Sequence, residues 1–302
     1  MSWLVFAFSG PVLWAISTHL DKYLVERYFK TSDVAVLLIF TALIGLIALP
    51  FIWWFEPKAM APDLATAALM ATSGVLYMIG MLFYLQALQS EEASVVAPFY
   101  QAVPLFSYLL GYVVLGERLS AVQLGGGGLI IGGTVLVSLR PGLHKRRLKG
   151  RFVALMLACA LCIAVSSLIF KLFALQDEFW PTTFWMFVGE AVFGVALLAV
   201  GAYRRQFVAL LRSSPGAVLS INAANELINL GGSLGTRYAL LLAPLSLVQA
   251  IGGTTTLFVF AFGVMLSIVC PSLGREDLSG RELLRKGAAA ILVAAGTVLV
   301  SR

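Results

Sequence analysis

Charge is what this sequence has least of. Only 12% of its 302 side chains are charged, against about 25% in a soluble globular protein, while 60% are hydrophobic and the mean hydropathy is +0.93. One folded core cannot hide that excess and still present a wetted surface. The composition therefore excludes a soluble enzyme, a nucleic-acid binder and a disordered scaffold. Cysteine and histidine are scarce as well, at three and two, which leaves no disulfide framework and no metal cluster. Cys159-x-x-Cys162 has the letters of a redox motif, but it lies in an apolar run and reads as two small hydrophobes. Gly125-Gly126-Gly127-Gly128 has no Lys-Ser/Thr after it, so it is not a phosphate loop. No Walker motif, zincin motif or nucleophile elbow occurs. Nothing points to ATP drive, to hydrolysis within the membrane, or to a cofactor or metal.

What is present is long apolar sequence. A helix needs about 20 mainly apolar residues to cross a bilayer. Ten such stretches run roughly Trp3–Leu20, Val34–Phe55, Leu64–Leu88, Ser94–Leu115, Ala121–Leu139, Phe152–Leu172, Thr182–Tyr203, Pro215–Leu241, Leu245–Val269 and Leu283–Val300. The first has no basic residue before it and no small-residue cleavage site, so it reads as a retained helix. Pro181 and Pro215 sit at first-turn positions, and Trp53, Trp54 and Trp180 at span ends, where interfacial aromatics belong. Pro104 falls well inside the fourth stretch, which predicts a kink or an opened hydrogen-bond ladder there.

The Lys and Arg residues are asymmetric. Sixteen of the 21 lie in the Lys22–Lys30, Arg140–Arg151, Arg204–Arg212 and Arg275–Lys286 connections; the other five are Lys58, Arg118, Lys171, Arg237 and Arg302. By the positive-inside rule the Arg140–Arg151 linker is cytoplasmic and both termini lie outside, in a bacterial-type inner membrane.

The chain also repeats itself. Gly133-Thr134-Val135-Leu136-Val137-Ser138 ends the fifth stretch and Gly296-Thr297-Val298-Leu299-Val300-Ser301 the tenth. Ser17-Thr18 before Lys22 matches Ser166-Ser167 before Lys171, and a shift of 152 superposes Gly80 on Gly232, Ala87 on Ala239, Ser94 on Ser246 and Gly111 on Gly263. The reading is 1–140 and 152–302 as two repeats, joined by a basic linker over 141–151. Five spans is an odd number, so the two copies cross the membrane in opposite senses. The predicted fold class is an all-α integral membrane protein, with ten transmembrane helices as two inverted five-helix repeats.

Two five-helix halves, the Leu115-Gly116-Glu117-Arg118-Leu119-Ser120 turn and the Gly-rich fifth helix together resemble the EamA family of the drug/metabolite transporter superfamily. The second half has a weaker turn, Leu273-Gly274-Arg275-Glu276-Asp277-Leu278-Ser279. The resemblance implies a central cavity walled by helices one to four and six to nine, with five and ten peripheral. It implies both termini in the cytoplasm, the reverse of the charge count. It implies a secondary transporter, exporting a small polar or amphipathic metabolite such as an amino acid, an amine or a related compound. A flippase for lipid-linked headgroups is the alternative within the superfamily. A non-transporting scaffold leaves the intramembrane polar groups without a purpose.

Of the fifteen carboxylates, Glu190 and Glu226 alone fall near the middle of a span, where a charge costs at least about 2.5–3.5 kcal/mol. Asn222, Asn225, Asn229, Ser233, Thr236 and Arg237 share a helix face with Glu226, and that face cannot point at lipid. The matching positions of the third helix are Met70, Ser73, Gly74, Tyr77 and Tyr84, so the halves share a scaffold and differ in chemistry. Two functional readings stay open. Glu226 binds and releases a proton in step with substrate exchange, or it stays charged and holds an amine. A third reading is purely structural, an ion pair of Arg237 with Glu190 or Glu226. Glu226 and Arg237 are three turns apart on one helix, about 16 Å along its axis, so they cannot pair within it, and Glu190 remains a possible partner for Arg237. Trp14, Ser17, Tyr77, Tyr84 and Gln101 complete the candidate substrate or coupling site, Trp14 because its ring face attracts an ammonium group. Thr18, Gln86, Tyr100 and Gln249 are further candidate cavity groups. His19 and Lys22 read as interfacial residues, and Lys171 as a side chain that snorkels to the headgroups. Gly128-x-x-x-Gly132 and Ala290-x-x-x-Ala294 permit close packing, in a homodimer through helices five and ten or within the chain itself.

Overall fold

In lipid every backbone N–H and C=O must find its partner within the protein, so an apolar chain of this length folds as helices or as a closed barrel. Runs of Leu, Ala, Val and Phe with few β-breakers choose the helix. The computed structural model describes residues 2–27, 35–90, 96, 99–138, 150–176, 179–213, 215–269 and 280–302. Among them every regular element is helical: α1 Ser2–Arg27, α2 Ala35–Phe55, α3 Leu64–Ser90, α4 Ala102–Val114, α5 Ala121–Ser138, α6 Gly150–Gln176, α7 Phe179–Ala199, α8 Gly201–Ser213, α9 Pro215–Leu242, α10 Leu245–Gly252, α11 Thr255–Val269 and α12 Gly280–Val300, with a short 3-10 turn at Pro57–Met60. Most of the basic linker, and the second Leu-Gly turn at 273–279, lie outside the described residues.

Among the described residues six segments are long and apolar enough to cross a membrane: Trp3–Leu20, Ala35–Phe55, Leu64–Ala87, Gly150–Gln176, Phe179–Ala199 and Leu245–Leu266. The last is interrupted at Gly253-Thr254, between α10 and α11. The fourth apolar stretch is interrupted too. Pro104 does not kink the middle of a helix; it sits in the first turn of α4, which starts at Ala102 after a turn at Gln101. The physical reason is that a missing N–H is tolerated only where the helix has no carbonyl to offer it. The seventh stretch likewise ends at Ala199, and the sequence beyond forms α8. Phe207 and Leu210 of α8 are buried, with the Phe207 ring 5.0 Å from Phe40, while Arg204, Arg205 and Arg212 are exposed. That is the division expected of a helix lying in the interface. At the other boundary Asp63 caps α3, accepting from the backbone N–H groups of Ala65 and Thr66 and from the Thr66 hydroxyl. The Thr66 hydroxyl and these amides hold the Asp63 carboxyl below the usual range.

Lipid offers no hydrophobic drive between helices, so they associate through close backbone approach at small residues. α1 lies on α9, where a Cβ at Gly232 would meet the Trp14 Nε1 at 3.0 Å. α3 lies on α6, where a Cβ at Gly80 would meet Ile163 at 2.9 Å. α3 also meets α7 with Gly74 against Met186 and Gly189 against Ala71. α5 and α12 pack on one another, Gly126 against the Gly296 carbonyl (2.8 Å from a would-be Cβ) and Gly133 against the Ala289 carbonyl (2.9 Å). Gly128 and Gly132, by contrast, have nothing within 4 Å of a would-be Cβ. The pair of helices is thus joined by Gly126 and Gly133, and the GxxxG pair is on the open face.

Gly126→Val should therefore destabilise the detergent-solubilised protein by about 1–3 kcal/mol, and Gly128→Val should not. Thermal melts by fluorescence-detected size exclusion check this; equal melting of the two variants would contradict the assigned faces.

Candidate functional site

α9 brings the polar stripe inward. Asn222, Asn225, Glu226, Thr236 and Arg237 are buried, and Asn229 and Ser233 half-buried. Glu226 and Arg237 make bonds to other helices. The Thr41 hydroxyl of α2 donates to Glu226 Oε1 at 3.0 Å. The Arg237 Nη2 donates to Glu190 Oε1 of α7 at 2.8 Å, with both side chains less than a tenth exposed. This is the Arg237–Glu190 pair that the spacing along one helix leaves open, and its two members come from helices far apart in the chain. The Arg237 guanidinium also lies 4.8 Å from the Phe187 ring centroid, one turn before Glu190, and 5.8 Å from that of Phe170 on α6. Rings at that range attract a cation.

Gly74 of α3 leaves room for the α7 backbone to approach, while Glu226 of α9 is tied to α2.

The Tyr84 and Tyr100 rings meet edge-on at 5.6 Å. Glu190 Oε2 lies 3.7 Å from where a Cβ at Gly45 would be, one turn along α2 from Thr41, so Glu190 and Glu226 both face α2. Gln101 is buried at the α4 break, and its amide faces the α10–α11 break: a Cβ at Gly253 would fall 2.5 Å from Gln101 Nε2. The two interrupted helices therefore touch at their interruptions. Trp14 is wedged between Gly10 and Gly232, a packing position between α1 and α9. Ser17 is buried on α1; Thr18 bonds back to the Trp14 carbonyl, and the His19 Nε2 meets the Val259 carbonyl at 3.0 Å. Gln249 donates to the Ser167 hydroxyl at 2.7 Å. Among the described residues no three His, Cys, Asp or Glu side chains come together to hold a metal.

Sequence reasoning missed Thr41 and, more importantly, a second ion pair, in which the lysine is buried and its carboxylate partner partly so. Lys171 does not reach for headgroups. It turns inward, only 6% exposed, and its Nζ lies 2.5 Å from both Glu117 Oε1 and the Ala243 carbonyl oxygen. Glu117 Oε2 in turn accepts the Leu245 N–H, at the start of α10, at 2.8 Å. The Leu115–Ser120 turn makes this possible. Gly116 adopts φ +66°, a left-handed conformation that suits glycine, and a Cβ at Gly111 would fall 2.6 Å from Glu117 Oε2. Glu117 thus closes over α4 and clasps the α6 end and the α9–α10 junction. The available signal was a lysine flanked by Phe170 and Leu172 together with a carboxylate in a glycine turn. Glu117→Gln leaves a buried ammonium with less than its full partner set, which should cost about 3 kcal/mol or more. Adding Lys171→Met should restore part of that. A Glu117→Gln melt superimposable on the parent would contradict the clasp.

Known proteins place this helical arrangement. Residues 1–139 match the EamA-like transporter family. No curated protein matches the chain. A solved crystal structure, described only as that of a protein, is similar over 100% of this chain and 98% of its own, with a TM-score of 0.69 and 14% identity, a likeness of fold alone. Together with its apolar helices, this makes the chain a multi-pass membrane protein whose residues 1–139 are similar to the EamA-like transporter family, a family of the drug/metabolite transporter superfamily.

Proposed function

We propose that the chain is a secondary transporter that exports a small polar or amphipathic metabolite, an amino acid, an amine or a related compound, by alternating access. The observation that carries this reading is the inward-facing set of Glu226, Glu190 and Arg237, kept at membrane depth despite its cost. Ten spans are formed by α1 to α5, α6, α7, α9, the broken α10–α11 and α12, and α8 is interfacial. Two inverted repeats, 1–140 and 152–302, account for the pairing pattern: α1 on α9 mirrors α6 on α3, while α2–α7, α4–α10 and α5–α12 each pair equivalent helices. Gly80 and Gly232, one repeat apart, sit at equivalent contacts. The substrate and coupling groups are Glu226, Asn222, Asn225, Asn229, Glu190, Trp14, Ser17, Tyr77, Tyr84 and Gln101. The protein sits in a bacterial-type inner membrane with its linker in the cytoplasm and both termini outside. Burial of Lys171 and Arg237 in ion pairs removes both from the minority side of the charge count and sharpens that orientation. A homodimer would use the open Gly128 and Gly132 face of α5.

The lipid-headgroup reading is the alternative; the depression between α2 and α7, lined by Ile39, Ala42, Leu43, Leu46, Ala191, Gly194, Val195 and Leu198, is apolar and holds about 20 Å³, the volume of a single water.

In proteoliposomes loaded with a labelled mixture of amino acids and amines, a proton gradient should drive efflux by the parent protein. Glu226→Gln should fold normally and carry flux indifferent to the gradient. A retained gradient response sinks the coupling role; flux of a labelled headgroup lipid with none of the soluble solutes favours the flippase.

A further inference from the structure

The helix between α7 and α9 has one face for the protein and another for its surroundings. α7 ends its apolar span at Ala199, and α8 runs Gly201–Ser213 before α9 starts at Pro215. At 3.6 residues per turn, Tyr203, Phe207, Leu210 and Leu211 fall on one arc, and Arg204, Arg205, Val208 and Arg212 on another of about 100°. Burial follows that division. Phe207 and Leu210 are buried in one cluster with Ile39 and Phe40 of α2 and Leu197 of α7, and Ile221 of α9 packs against it. The three arginines and Val208 are exposed. A Cβ at Gly201 would lie 3.5 Å from Arg205 Nη1, so that guanidinium folds back over the first turn of its own face. α8 contains no Asp or Glu, and its arginines make no ion pair among the described residues.

An interfacial helix ordinarily sinks its apolar face among the acyl chains. Here the protein has taken that face, and what α8 has left to offer the membrane is charge. We propose that the arginine face of α8 is a docking surface for the headgroups of anionic phospholipids. A guanidinium donates to phosphate oxygens in charge-assisted, bidentate fashion. The source is lipid because α8 starts where the α7 span ends, at the level of the headgroups. Each arginine near an anionic membrane surface strengthens the attraction about fivefold. A zwitterionic headgroup carries its own ammonium and competes poorly for the same donors. This inference goes beyond the transporter reading and does not depend on what the chain carries. It does reach the candidate site. α8 packs on α2, α7 and α9, the helices that bear Thr41, Glu190, and Glu226 with Arg237. A lipid that binds α8 in this position stabilises the arrangement of those three helices by mass action.

The test melts the purified full-length protein in detergent micelles doped with phosphatidylglycerol or with phosphatidylcholine of the same chains. Phosphatidylglycerol should raise the melting temperature of the parent more than phosphatidylcholine does. Arg204→Gln/Arg205→Gln/Arg212→Gln should melt like the parent without lipid, because all three side chains are exposed, and should lose most of the phosphatidylglycerol increment. Lys145→Gln/Arg146→Gln/Arg147→Gln, in the basic linker, should keep it. Native mass spectrometry reads binding apart from stability, and the α8 variant should retain fewer phosphatidylglycerol molecules than the parent. The assignment is overturned if the two lipids stabilise the parent equally, or if the α8 variant keeps either the increment or the retained lipid. Loss of the increment in the linker variant overturns it too, as does soluble glycerol phosphate that reproduces the increment at the same concentration.

Discussion

The Glu190–Arg237 pair is the constraint on which the rest of the arrangement depends. A guanidinium and a carboxylate inside a bilayer must meet or neither can stay there. Their contact at 2.8 Å fixes the rotation of α7 against α9. With α9 so turned, Asn222, Asn225 and Glu226 have no option but to face inward, and Glu226 reaches Thr41 on α2. The Lys171–Glu117 clasp does the same at the α9–α10 junction. Two ion pairs between helices distant in sequence thus set an orientation that apolar contacts against equally apolar lipid would leave undetermined.

Glycine supplies the complementary half of the design. Where charge ties helices together, small residues let them approach: Gly74 and Gly189 between α3 and α7, Gly10 and Gly232 around Trp14, Gly126 and Gly296 between α5 and α12. Gly74 lets α7 approach α3, while Glu226 ties α9 to α2.

The helices were legible because hydropathy and length are local properties; the Arg237–Glu190 pair was legible only as a possibility and the Lys171–Glu117 pair not at all, because the partners lie far apart in the chain. Pairing of Arg237 with Glu190 remained open from spacing along one helix, which could only eliminate Glu226. Lys171 was misjudged because a lysine near a helix end usually reaches water; nothing local reveals that Glu117 folds back over Gly111 to meet it. The helix α8 was within reach: Tyr203, Phe207, Leu210 and Leu211 against Arg204, Arg205 and Arg212 is an amphipathic pattern hidden by its position next to a longer apolar run. The break at Gln101 was half visible. Pro104 signalled an opened ladder, but the matching break at Gly253-Thr254, against which Gln101 rests, carries no proline.

A double-mutant cycle on Glu190 and Arg237, read as thermal stability in detergent, tests the central claim most directly. Glu190→Gln and Arg237→Gln should each cost about 3–5 kcal/mol, since each strands a buried charge. The double variant should cost far less than their sum, because it removes both charges at once. Additive losses would contradict the account, showing that the two side chains do not depend on one another.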